Sequence, residues 1–332
     1  MIVNSKMNVT DKILQLFEKQ SEWTVKDLVA YTDATKQMVH IVLNKLIEQH
    51  IIEKFGRVPK TFYRRKKNAA PQAGLPELNA EVSEWLEKQF LVISETGQMK
   101  TGIEGFAAWC IQRKLPVEKT LKEFIETKKR YEVYYNKSEV IDGLDKIKNT
   151  KGYDAIALDK LFYIDFYAIE RFGKTRLGTL IHYAKQGQNK YLMKILVQEI
   201  KEKIDKLLKI SKAEAVCFIP PTIRREVQIM KYFQQHLHIP LPTLNIKKIS
   251  GLIPVPQKSL AKLEERITNA QSTFAIMESR KFNHIVLIDD AVGSGATMNE
   301  IAVKIKERGI AKTVTGIAIT GSFKGFDVIT DL

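Results

Sequence analysis

Apolar residues recur along this chain in two rhythms, and the changes between them divide it. Ile13, Leu14, Leu16 and Phe17 mark an amphipathic helix from Val9 to Lys19. Thr24 reads as the N-cap of a short helix through Val29, with Leu28 inside. Asp33 or Thr35 caps a third helix, whose expected buried stripe is Met38, Val39, Val42, Leu43 and Leu46. Ile51–Lys54 and Thr61–Arg64 then read as two strands around Gly56. Residues 68–77, rich in Ala, Pro and Gly, read as a linker. From 78 to about 150 helical stripes return: Val82, Trp85, Leu86 and Phe90, then Phe106, Trp109, Cys110 and Leu115, then Leu121, Phe124 and Ile125. Ile285, Val286, Leu287 and Ile288 break that rhythm as an unbroken aliphatic run, the pattern of a strand buried on both faces of a parallel sheet. A helix follows, with Met298, Ile301 and Ile305 on one face and Gly309 as its stop, and then a strand over Val314–Thr320. The pattern predicts helices and a hairpin over 1–67, a linker and helical segment over 68–160, and an α/β domain with a parallel sheet over 161–332.

Chemistry gathers just after the aliphatic run. Asp289 and Asp290 stand at the edge where open α/β sheets bind ligands. The small-residue loop Gly293-Ser294-Gly295-Ala296-Thr297 follows them and leads into a helix. Small residues let backbone N–H groups converge on a phosphate, and a helix N-terminus adds free donors and partial positive charge. Adjacent acids repel a phosphate, but they accept hydrogen bonds from ribose hydroxyls or hold a hydrated Mg²⁺. The loop is therefore expected to grip a 5-phosphate while the acids hold the sugar and its metal. The run resembles the phosphoribosyl pyrophosphate (PRPP) motif of type I phosphoribosyltransferases, departing from it at Gly293 and Ser294, where Thr-Thr is commoner.

Three further stretches resemble the ComF family. Gln257, Leu260, Arg266, Asn269 and Phe274 match its mobile loop and the aromatic strand that follows. Gly173-Lys174-Thr175-Arg176-Leu177 with Leu180-Ile181-His182-Tyr183-Ala184-Lys185 is similar to its opening helix, and Phe218-Ile219-Pro220-Pro221 with Arg224-Arg225 to its strand-Pro-x-Pro…Arg segment. The likeness spans roughly residues 163–332 and lacks that family's Cys-x-x-Cys zinc module. It implies a parallel sheet with a small hood and a loop over 257–269 that closes on the ligand, with an ordinary surface helix from Leu260 to Ala270 as the alternative for that segment. It also implies an activity, displacement of pyrophosphate from C1 of PRPP with Mg²⁺ as cofactor. Arg224 or Arg225 would then meet the pyrophosphate, and Lys258 or Arg266 would bring charge on the loop.

Charge changes the picture at the other end. The net charge is +15 and the pI about 9.5, which favours an anionic partner. The helix, helix, helix, hairpin order of the N-terminus resembles a winged helix-turn-helix. That likeness sends the third helix into a major groove, with Lys36, Gln37, His40, Asn44 and Lys45 outward. Lys54, Arg57, Lys60, Arg64, Arg65, Lys66 and Lys67 would contact phosphates from the wing, and no acid falls within 54–67. Lys128, Lys129 and Arg130 with Tyr131, Tyr134 and Tyr135 read as a helix with aromatic core positions and a wet basic face, in preference to a single-strand clamp.

No apolar run approaches the ~20 residues of a membrane helix, and the N-terminus has no signal-peptide core. Cys110 and Cys217 read as buried hydrophobes, which suits a reducing cytoplasm. The expected partners are PRPP or another nucleotide and DNA, with no membrane and a homodimer left open. Three functions stay open: a pentosyl transferase, a PRPP-sensing transcriptional regulator without catalysis, and a ComF-like accessory protein for DNA uptake. In the short stretch after Thr320, Phe326 could stack on a nucleobase, but little there would identify one, which weighs against a dedicated salvage enzyme.

Overall fold

Side-chain caps fix where the N-terminal helices begin. In this computed structural model, which describes residues 8–48, 51–57, 60–65, 76, 78–149, 152–153, 155–221, 223, 225–249, 260 and 262–322, Asn8 accepts from the Asp11 N–H and opens α1 (Val9–Lys19). β1 (Glu22–Trp23) follows. Thr24 and Asp27 exchange side-chain and backbone hydrogen bonds as a capping box for α2 (Val25–Thr32), three residues longer than the spacing predicts. Thr35 Oγ1 accepts from the Met38 N–H and starts α3 (Lys36–Glu48). β2 (Ile52–Arg57) and β3 (Lys60–Arg65) form the hairpin, and the sheet order is β1-β3-β2, antiparallel throughout. Ile13, Phe17, Trp23, Leu28, Val39, Leu43, Leu46, Ile52 and Tyr63 make a core of their own. The chain divides into two units, Met1–Gly74 and Leu75–Leu332.

The second unit opens with α4 (Ala80–Gln89), β4 (Leu91–Ile93), β5 (Met99–Thr101), α5 (Gly102–Gln112) and α6 (Val117–Glu132). β6 (Ile141–Asp142), α7 (Leu144–Lys148), β7 (Lys160–Phe166), β8 (Ala168–Ile169), β9 (Gly173–Lys174), α8 (Arg176–Gln186) and α9 (Lys190–Ser211) come next. The remainder is β10 (Ala215–Phe218), α10 (Ile229–His236), β11 (Ile246–Lys248), α11 (Leu263–Thr273), β12 (Phe274–Ile276), β13 (Phe282–Val292), α12 (Ala296–Glu307) and β14 (Ala311–Gly321).

Five strands form the main sheet in the order β10-β13-β14-β7-β6, parallel except for β6. Alternation along β13 sends Ile285 and Leu287 to one face, Val286 and Ile288 to the other. The first face packs with residues of α4–α7 and α12, the second with α8–α10. The helical segment within 68–160 is therefore no separate body. Leu86, Phe106, Trp109 and Phe124 belong to one apolar cluster with the sheet, the rings of Phe106, Trp109 and Phe124 also packing among themselves. Of the three tyrosines read as core positions, Tyr131 is buried there too, Tyr135 is half-buried and Tyr134 is exposed. Arg176 ties the same assembly together, donating to Glu199 (2.8 and 3.0 Å) and to the Glu87 carbonyl (3.1 Å). Cys110 and Cys217 are both buried and free. Among the described residues no helix is long and apolar enough to cross a membrane.

Candidate functional site

β13 extends beyond the four aliphatics that announce it, so Asp289 and Asp290 lie within the strand, not after it. Backbone pairing with β14 continues through Asp289↔Ala318, Ala291↔Thr320 and Val292↔Gly321 and holds both acids in extended geometry. Successive side chains then leave on opposite faces, and the two carboxylates have different surroundings. Asp290 is only 4% exposed and forms an ion pair with Lys185 of α8. Asp289 is half-buried, and its Oδ1 accepts from the Asp290 N–H at 2.8 Å. Loss of water, then the neighbouring Asp290, pushes the Asp289 carboxyl well above the usual range, while Lys185 pulls it back in part. Burial works against charge on Lys185, but Asp290 and then Asp289 outweigh it and hold the ammonium above its ordinary value.

Lys185 is the residue the sequence reading leaves without a role, and the fold brings it to the acids. Its helix starts at Thr175, whose Oγ1 donates to the Phe166 carbonyl at the end of β7 (2.6 Å) and accepts from the Gly178 N–H (3.1 Å). Gly178 lets α8 approach this closely. A Cβ there would stand 2.0 Å from the Tyr167 carbonyl oxygen. Asp165 is a third acid at this sheet edge, opposite Thr320, but it accepts from Tyr135 Oη and is absorbed by that contact.

The phosphate-loop residues split between turn and helix. Gly293, Ser294 and Gly295 turn the chain, while Ala296 and Thr297 form the first turn of α12. Gly295 is the N-cap and has φ of 84°, a left-handed backbone that favours glycine. A Cβ on it would also stand 2.3 Å from Ile147 Cδ1. The loop is buttressed from that side: Tyr153 Oη donates to the Ser294 carbonyl (2.6 Å). The buried Asn299 amide accepts from the Ala157 N–H and donates to the Ala155 carbonyl, both at 2.8 Å. Ser294, Gly295 and Ala296 are buried as a result, and Gly293 and Thr297 keep partial exposure.

The expected pyrophosphate groups fare unequally. Arg224 and Lys258 lie outside the described residues. Arg225 donates to the Gln186 amide oxygen at 3.2 Å, beside Lys185, and its charge is felt there. Arg266 is a correction. Residues 263–269 belong to α11, and Arg266 is buried, with Nε donating to the Leu260 carbonyl at 2.8 Å. Burial lowers its pKa, with Tyr153 acting in the opposite direction. This arginine braces the helix instead of standing on a loop.

In the N-terminal unit Lys36, Gln37, Asn44 and Lys45 are exposed on α3, and His40 is half-buried. The side chains of Arg57 and Lys60 lie outside the described residues, as do Lys66 and Lys67. The wing arginines are not bare: Arg64 pairs with Glu53 (2.6 Å) and sits 4.7 Å from the centre of the Phe55 ring, and Arg65 pairs with Glu18 (3.4 Å). Both acids lie outside 54–67, so a count along that stretch overlooks them. Among the described residues no group of three or more His, Cys, Asp or Glu side chains could enclose a metal. No known family model matches the chain, and no curated protein matches it.

Proposed function

We propose that the second unit binds PRPP, or a nucleoside 5-phosphate, at the end of β13, and that the first is a winged helix that binds duplex DNA. The observation that carries the first part is local. Two carboxylates near the C-terminal end of a parallel strand are followed, after Ala291 and Val292, by a left-handed glycine turn and the N-terminus of a 12-residue helix. A ribose 5-phosphate fits that order of groups, phosphate on the turn and hydroxyls on the acids. The residues also fit Mg²⁺, which needs only one or two carboxylates and completes its shell with water and phosphate oxygens. Asp289 is the acid that gains most from a cation, since Asp290 already holds Lys185. When bound, the metal would neutralise phosphate charge. Lys185 and Arg225 supply positive charge on the α8 side, where a diphosphate on C1 of the sugar would extend.

The reaction this arrangement serves is pentosyl transfer from PRPP. The protein's share is to position the sugar and exclude water. The N-terminal unit favours a second reading, a regulator that senses PRPP through the same site. Calorimetric titration of the full chain with PRPP, ribose 5-phosphate and AMP, each with and without Mg²⁺, tests the binding. Asp289→Asn with Asp290→Asn, and separately Gly295→Val, should abolish the heat. Silence of the wild type at millimolar ligand overturns the proposal, and release of pyrophosphate on adding acceptor bases separates the enzyme from the sensor.

A further inference from the structure

The outward face of α3 carries a feature that phosphate contact does not explain. Val39, Val42, Leu43 and Leu46 face the core, and Lys36, Gln37, Asn44 and Lys45 are exposed. Among those polar groups stand two large apolar side chains, Ile41 at 58% exposure and Met38 at 47%, so Met38 lies outside the buried stripe expected of it. Single exposed hydrophobes are ordinary. These two lie one helical turn apart on the same side of the helix, about 4.5 Å along its axis, little more than the ~3.4 Å rise of one base pair.

Resting on the reading of this unit as a DNA-binding winged helix, we infer that Met38 and Ile41 read thymine methyl groups in the major groove. The 5-methyl of thymine is the apolar group that this groove displays, and apolar side chains recognise it. The flanking residues suit the other half of the same pair. Gln37 and Asn44 can each bond adenine N6 and N7. A helix with amides and aliphatics together on one face therefore matches consecutive A·T pairs. Charge selects DNA over a protein as the occupant. Lys36 and Lys45 bracket the patch, and residues 1–74 hold thirteen Lys and Arg against seven Asp and Glu. A second copy of this basic unit on the same face would set cation against cation.

The test uses the full-length protein and a pool of random duplexes, from which bound sequences are selected. Each thymine of the selected site is then replaced by uracil, which pairs identically but lacks the methyl, and affinity is measured by fluorescence anisotropy at fixed salt. One or two positions should lose about 3- to 5-fold, the size of one buried methyl. Met38→Ala and Ile41→Ala should each erase the thymine–uracil difference at one position and leave the other intact. Equal binding of thymine and uracil duplexes, or a selected site without A·T pairs, overturns the inference while the DNA reading stands. Retention of no duplex at all overturns both. A change in sedimenting mass of the variants, with the thymine–uracil ratio unchanged, would identify the face as a self-association surface and also refute it. The uracil series needs no protein variant, so misfolding cannot decide the result.

Discussion

Two neighbouring aspartates in one strand behave as different chemical species because the pleat gives them different partners. Asp290 is neutralised by Lys185, while Asp289 bears the cost of charge near another acid with little water. A raised carboxyl pKa means that the folded state binds its proton more tightly than the unfolded chain does. The associated stability is present below the unfolded value, ~3.9, and is lost as pH rises through the folded value. Asp289→Asn should therefore melt higher than the wild type at pH 8 and match it near pH 4, while losing PRPP binding. Thermal melts across that range check the sign. A variant that melts lower at pH 8 would mean that Asp289 is held by favourable contacts instead. The acids and the glycines were legible as residues, because their types and order are unusual after an aliphatic run. Lys185 was not, since it reaches Asp290 across 105 residues and only the sheet face decides that meeting.

At the scale of elements, caps and stripes were readable where they were local and apolar. Thr24 and Thr35 open their helices as their sequence neighbours suggest. β1 escaped notice because two residues carry no rhythm. α11 was legible only as the alternative to a mobile loop: its buried positions, Arg266, Ala270 and Thr273, keep helical spacing but are mostly polar, so a hydrophobic reading does not decide between the two. The turn before α12 yields a prediction of its own. Gly295→Ala forces a left-handed backbone on a β-carbon, which costs about 1–2 kcal/mol, and drives that carbon into Ile147. Ile147→Ala in the same chain should recover the contact portion but not the backbone portion. Urea unfolding of the two single variants and the double variant separates them, and strict additivity would show that Ile147 does not limit the turn.

At the scale of the whole molecule, each unit has its own core, one around Leu28 and Leu43 and one spread over both faces of the five-stranded sheet. Scanning calorimetry should resolve two unfolding transitions, and PRPP with Mg²⁺ should raise only one of them. A single transition that moves as a whole would show that the two cores are coupled. The two units divide after Gly74, and the membership of the helices that follow could not be read from stripes alone, since an amphipathic helix does not say which surface it covers. The strand order has a consequence in time. β14 sits between β13 and β7, so β7, made some 150 residues earlier, pairs on that side only with a strand synthesised long after it. At a ribosome adding about 5–20 residues per second, that edge stays open for several seconds or more. Until then β7 has the two-residue β6 on its other side and an apolar Phe-Tyr-Ile run within it. The nascent chain is an expected client for holding chaperones in that interval, and the candidate site becomes complete only when it closes.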